Sequence, residues 1–367
     1  IGIVGTALSI FLIMLVVMMQ QVKVAPFSPE SNRNRFLHVH YMSISHKDWG
    51  NGTSNGPMSV QTAREVYKSL KTPEAVTVYC CMTVSTPVSL PGAPAIGADV
   101  RETDDTFFHV FDFQFTDGKP YDEATFTAGR PVAVITESIS RALFGSIQSV
   151  GKEFLLSHAP YRVVGVVKDV STLADMAYGQ VWIPFTSTNL SNDTWSDNHM
   201  GMMSVTLLAH DREDFDEIRA EAKRGMNEYN SILADQGYTL IDRNRPYDQE
   251  TQSISFAANL EPDLKAARRE RVIIFIILLL VPAINLSSMT QSRLRQRVAE
   301  IGVRRAFGST RIEMVGQIVM ENLVITLLAG AIGLLISILF AYWGTDILFA
   351  QPYSCLLYTS PSPRDRT

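Results

Sequence analysis

The chain has 367 residues, of which 46% are hydrophobic and 19% charged, and its formal net charge is −5. Between Gln20 and Arg271 it carries 24 Lys+Arg against 32 Asp+Glu, a net of −8, which argues against a nucleic-acid-binding surface. Cys80 and Cys81 are neighbours, a badly strained place for a disulfide, and they read as strand thiols, one on each face.

The averages conceal a sharp partition. Residues 1–19 and 272–289 hold no charge, and residues 314–343 hold one, Glu321. Runs of about 18 or more apolar residues are long enough to cross a bilayer as helices. Three transmembrane helices are therefore expected, in domains spanning 1–20, 261–291 (with a preceding stalk) and 314–343. The first run has no basic n-region and no cleavage site, so it reads as a membrane helix with a truncated start rather than a signal peptide. The loop at 292–313 is rich in arginine and is expected on the cytoplasmic side, which places the domain at 21–260 outside. Lys265, Arg268, Arg269 and Arg271, at the outer end of the second helix, pull the other way. Long domains translocate largely regardless of charge, so the short loop decides.

Within the outer domain, Phe36–Ser43 alternates as a strand does, and Ser59 caps a helix running to Leu70. Ala75–Val88 reads as strand and Asp104–Phe111 as a short aromatic helix. Val132–Ile135 is a strand, followed by a helix from Glu137 with Thr136 as cap and Gly145 as stop. Gly151–Val170 reads as a hairpin about His158-Ala159-Pro160. Gly179–Pro184 and Met203–His210 are strands, and Glu213–Gln236 is a long helix. Asn259–Arg271, with Pro262 in its first turn, is expected to run unbroken into the second membrane helix. The outer domain is thus α+β.

No catalytic constellation appears. Gly145–Glu153 spaces its glycines wrongly for a phosphate loop and has Glu where Ser or Thr would hold magnesium. His38 and His40 share a strand face near His46, a pattern that half-exposed strand histidines and metal sites have in common; no metal site is assigned. Asn51, Asn189 and Asn192 begin N-x-S/T sequons, without consequence in a bacterial chain.

The loop Arg293–Met314 carries six arginines and two glutamates. Arg293–Phe307 is good helix sequence, with Leu294, Val298 and Ile301 in one apolar stripe and Val303 and Phe307 in a second. Gly308 ends it, and Thr310 with Glu313 forms a capping box that starts the next helix. Such a basic amphipathic helix suits the surface of an anionic membrane as well as a protein partner. Glu321 and Asn322 lie in the third helix, where a carboxylate needs a partner or the interface. Pairing across a dimer, signalling between loop and stalk, and snorkelling to the surface all remain open. Ala329 and Gly333 give a small-xxx-small packing face, and Pro282 predicts a kink in the second helix.

The ordered stretches DDTFFHVFDFQFTDGK, VAVITESISRALFG, VGKEFLLSHAPYRVVGVVKDV, VWIPF, PAINLSSMTQSRLRQRVAEIGVRRAFGST and ENLVITLLAGAIGLLIS resemble the FtsX-like permeases of ABC transporters. Within these they are similar to the MacB-like branch with its periplasmic core domain. The resemblance covers about residues 1–343, and EIGVRRAFGST is its most specific part. It implies a bacterial inner-membrane protein with three of an expected four transmembrane helices and an α+β two-lobed periplasmic domain, one lobe being an insert at about 96–195. It also implies a non-catalytic permease subunit that works by mechanotransmission, serves export or efflux, and holds no cofactor of its own. ATP and Mg belong to a separate ATP-binding subunit docked on Glu300, Ile301, Gly302, Arg304, Arg305, Phe307 and Gly308. Further implied partners are a second permease copy, a periplasmic adaptor, an outer-membrane channel and the lipid bilayer. A membrane-anchored sensor is the alternative, but so short a cytoplasmic segment counts against it.

Residues 344–354 are expected to begin an outer loop. The last residues, Cys355–Thr367, are compatible with translated transposon-end sequencing adapter, so the chain is expected to be a fragment.

Overall fold

A computed structural model describes residues 2–340 of the chain. The elements in chain order are helix α1 (Gly2–Val24), strands β1 (Phe36–Val39), β2 (Met42–His46) and β3 (Thr53–Gly56), helix α2 (Val60–Ala63), strands β4 (Ala75–Cys80), β5 (Val84–Ser89) and β6 (Ile96–Thr103), and helix α3 (Phe107–Val110). Next come β7 (Phe115–Gly118), α4 (Glu123–Thr127), β8 (Val132–Thr136), α5 (Glu137–Phe144), β9 (Glu153–Leu156), β10 (Ala159–Val167), β11 (Val181–Pro184) and β12 (Met203–Leu208). The described chain closes with α6 (Phe215–Leu233), β13 (Tyr238–Ile241), β14 (Tyr247–Asp248), α7 (Gln249–Gln252), α8 (Leu264–Gln296), α9 (Val298–Ala306) and α10 (Arg311–Leu339). Two compact units divide the chain at Val22/Lys23 and at Pro262/Asp263.

The outer unit is built on one long sheet. Strands β6, β5, β9, β10, β8 and β11 form a ring, because β11 pairs in parallel with β6 and antiparallel with β8. Val100, Ala133, Ile135, Phe154, Val163 and Val181 are among the apolar side chains that fill this small barrel. Barrels of so few strands are packed cores rather than pores. A single pairing, Tyr79 with Thr103, joins β6 to the four-stranded sheet β4-β12-β1-β14. On that sheet α6 buries Phe215, Ile218, Ala222, Met226, Tyr229 and Leu233, a clean helical spacing. A second sheet, β13-β2-β3, borders the same core. Rings from Phe36, Tyr79, Phe107, Phe111, Phe113 and Trp182 form another cluster, which draws on both the barrel and the four-stranded sheet.

Local signals located several elements well. Thr136 accepts from the backbone of Ile139 at the start of α5, and Gly145 ends it in the left-handed region at φ 69°. Ser59 caps α2, although the helix then loosens into a π turn at Arg64–Lys68. Other expectations need correction. Phe36–Ser43 is two strands in two sheets, broken at His40 and Tyr41. Every residue of β1 is buried, so its alternation reported nothing about exposure. Ala75–Val88 is likewise two strands, and Cys81 lies in the bend between them while Cys80 closes β4; both are free thiols. The hairpin turns at Ser157 and His158, both with positive φ, so His158 of the expected turn is in it while Ala159 and Pro160 already belong to β10. The barrel begins with β5 at Val84.

The second unit is helical. Three helices are long and apolar enough to cross a membrane: Val4–Val24, Leu264–Gln296 and Arg311–Leu339. Asp263, not Pro262, starts α8, its carboxylate accepting from the Ala266 N–H. The helix then runs unbroken to Gln296, through Pro282. Residues 341–343 of the expected third span, the outer loop at 344–354 and the tail at 355–367 lie outside the described residues.

Candidate functional site

The arginine-rich loop folds as α9 between two apolar helices. The single helix expected over Arg293–Phe307 is divided: α8 continues through Leu294 to Gln296, Arg297 leaves the helix at φ −104°, ψ 12°, and α9 begins at Val298. A break at this point keeps the polar turns of the loop from prolonging a span already 33 residues long. At the other end Gly308 takes φ 95°, a conformation that favours glycine. Thr310 then accepts from the Glu313 N–H while the Glu313 carboxylate accepts from the Thr310 N–H, the expected capping box.

The two faces of α9 differ. Its inner face lies along α10 over a shallow cleft, lined among others by Arg293, Leu294, Arg297, Ile301, Ile318 and Glu321. Arg297 donates to both oxygens of Glu321, at 3.1 and 3.0 Å. The Gln317 amide donates to the same carboxylate at 3.2 Å. Arg304 donates to the Gln317 oxygen at 2.7 Å and pairs with Glu300 one turn back. Away from the cleft, Val298, Val303 and Arg305 are exposed on different sides of the helix, and Phe307 at its end is 88% exposed. An apolar ring presented in this way costs free energy unless a partner covers it.

The residues singled out from sequence therefore divide. Glu300, Ile301 and Arg304 line the cleft, although Glu300 and Arg304 are exposed, as are Gly302, Arg305, Phe307 and Gly308. Glu321 has a partner within its own chain, and Asn322 lines the same cleft. Ala329 and Gly333 are buried, Gly333 against Ala7 and Ile10 of α1. Arg297 and Gln317 escaped the sequence reading. The signal was there for Gln317: Glu313, Gln317 and Glu321 recur every four residues, a polar stripe on an otherwise apolar helix.

In the outer unit His38 is buried, whereas His40 and His46 are half-buried, as expected. His38 bonds Thr206 at 3.1 Å and Gln249 at 2.9 Å, and burial pushes it down to about 3. His40 contacts the Met176 sulfur, and burial lowers it to about 4. Among the described residues no group of three His, Cys, Asp or Glu is placed to hold a metal ion.

Two family models match the chain, one described as a MacB-like periplasmic core domain over residues 2–224 and one as an FtsX-like permease C-terminal region over residues 272–363. The chain belongs to the MacB-like ABC transporter permease family. The permease is 22% identical over 244 residues to YknZ, an uncharacterized ABC transporter permease of Bacillus subtilis, covering 65% of this chain and 55% of that one. It is 25% identical over 245 residues to the macrolide export ATP-binding/permease protein MacB of Burkholderia cenocepacia, covering 66% and 33%. The permease chain thus spans between a third and just over half the length of these curated relatives. Among solved structures it is similar to the periplasmic region of MacB from Actinobacillus actinomycetemcomitans, at 19% identity over 55% of this chain and 88% of that one, with a TM-score of 0.38. The extracellular domain of YknZ gives 14% identity, 55% and 99% coverage, and a TM-score of 0.39.

Proposed function

We propose that this permease transmits the work of ATP hydrolysis, carried out by a separate ATP-binding subunit that holds the ATP and Mg, to an outer domain that drives export. Val303 of α9 and Phe307 at its end, both exposed, carry this reading. A short helix that leaves a bare aromatic ring between two membrane-length helices has the form of a docking peg. Six arginines in its loop support a cytoplasmic side of an inner membrane for that peg and a periplasmic one for the acidic outer unit. Phe307 and Val303 enter an apolar cleft on the ATP-binding subunit, with Arg305 setting the register.

The chain works with a second permease copy as a multi-pass protein, and the barrel and the four-stranded sheet with α6 act as two lobes of the periplasmic domain. The relatives named for macrolide export support efflux as its task, and a periplasmic adaptor and an outer-membrane channel would complete the path. Phe307→Asp should abolish co-purification of the ATP-binding subunit and the turnover that the permease stimulates. Retention of both would overturn the docking assignment.

A further inference from the structure

We infer that Glu321 is a positioning residue that locks α9 to α10, so that the two move as one lever hinged at Arg297. The inference deepens the docking reading, since it concerns where a push on α9 is delivered.

Two observations carry it. First, α9 is held near both ends by adjacent turns of α10. Arg297, at its entrance, grips Glu321; Arg304, near its exit, grips Gln317; and Gln317 itself donates to Glu321, which makes the two contacts one network. Positions 317 and 321 are four apart and therefore stacked on one helical face. Second, the helix bends on the other side of α9, at a residue whose N–H still bonds the Arg293 and Leu294 carbonyl oxygens. Arg297 is out of helical conformation, whereas the link from α9 to α10 is a glycine turn followed by a fully formed capping box. The weak point therefore lies between α8 and α9, and the strong one between α9 and α10.

Depth reinforces the lock. Residues 272–292 of α8 and 322–340 of α10 hold no charge, so Arg293 and Glu321 each stand at the limit of an apolar run. A carboxylate at that level is costly alone and is stabilised by a guanidinium held at hydrogen-bonding distance. Breaking the pair would release α9 from α10 and leave Glu321 without its counter-charge.

A charge swap in the full-length permease, assembled with its ATP-binding subunit in liposomes, tests the lock. Arg297→Glu and Glu321→Arg, made singly, should each lower stimulated ATP turnover about tenfold. The loss should fall on kcat and leave the KM for ATP unchanged, with the complex still co-purifying. The double variant rebuilds the pair with its charges exchanged and should return turnover to within about threefold of the parent. A double variant as poor as the singles would overturn the proposal.

Spin labels at Val303→Cys and Val315→Cys, both exposed, read the lock directly in a background without the native cysteines. Their distance distribution should broaden in Glu321→Gln and Gln317→Ala, which keep the helix while weakening the network. An unchanged distribution would refute the lock. The label measurement needs no ATP-binding subunit, so it tests the lock even if α9 proves not to be the docking helix.

Discussion

Gly333 of α10 faces the carbonyl oxygen of Ala7 in α1 so closely that a Cβ placed on it would lie 2.8 Å from that oxygen and 3.1 Å from the Ile10 side chain. Ala329 and Ser337, one turn to either side, are buried too, so a small-residue stripe brings the two helices together. Gly333→Ala is expected to force them apart and lower stability in detergent by about 1–3 kcal/mol. Gly330→Ala, where the nearest atom is 3.8 Å away, should be silent. Thermal unfolding of the two variants side by side checks this.

The barrel has its own tight point. Gly118 sits at φ 67°, and a Cβ there would overlap the Val164 carbonyl oxygen. Strand β10 closes three pairings around this region, with β7, β8 and β9. Gly118→Ala therefore combines left-handed strain with a backbone overlap, and it should cost the outer unit about 3 kcal/mol or more. Urea denaturation of residues 23–262 would show it as a shifted midpoint.

Asp104 is buried, and its carboxylate takes a hydrogen bond from the Thr77 hydroxyl, another from the Val78 N–H and an ion pair with Lys68 at 2.7 Å. Burial pushes its pKa up, and the Lys68 ammonium opposes that push. Asp104→Ala strands an ammonium and a strand N–H together, so a loss of roughly 3 kcal/mol is expected. Asp104→Asn, which keeps an acceptor, should lose less. The same denaturation series ranks the two.

Glu102 predicts a pH dependence. Burial raises its carboxyl to about 7, against the lowering effect of the Thr188 hydroxyl that bonds it. The folded state thus binds this proton more tightly than the unfolded chain, whose carboxyl has its ordinary value of 4.5. Its contribution to stability is complete below about 4.5 and is lost as pH rises through 7. Glu102→Gln should match the parent at pH 4 and exceed it by on the order of 1–2 kcal/mol at pH 8, allowing for partial exposure. His38 and His40 titrate in the opposite sense but are common to both proteins and cancel. Parallel stability curves from pH 4 to 8 would refute the assignment.

What could be read in advance was local. The α5 cap at Thr136, its stop at Gly145 and the Thr310–Glu313 box each depend on residues within one or two turns, and sequence shows those directly. The three apolar helices announce themselves by length. The closure of β11 onto β6 joins Val181 to Val100, and no local pattern reports a pairing across so much chain. Glu321 was conspicuous as the lone charge in the apolar run 314–343, yet its partner Arg297 was one arginine among six in the loop. Only the turn that folds α9 back on α10 selects it.

The barrel enters the chain after β4 and leaves it before β12, and these two strands are ladder partners with Cys80 opposite Met203. In the logic of the four-stranded sheet, the whole barrel is the loop of a hairpin. The cost of closing a loop grows only slowly with its length, so the sheet tolerates a domain there almost as readily as a short turn. Both strands that lead toward the apolar helices, β1 and β14, lie beyond β12 in the sheet order. Gene-level exchange of the barrel would therefore alter the surface the protein presents there while leaving every covalent link to the apolar helices in place.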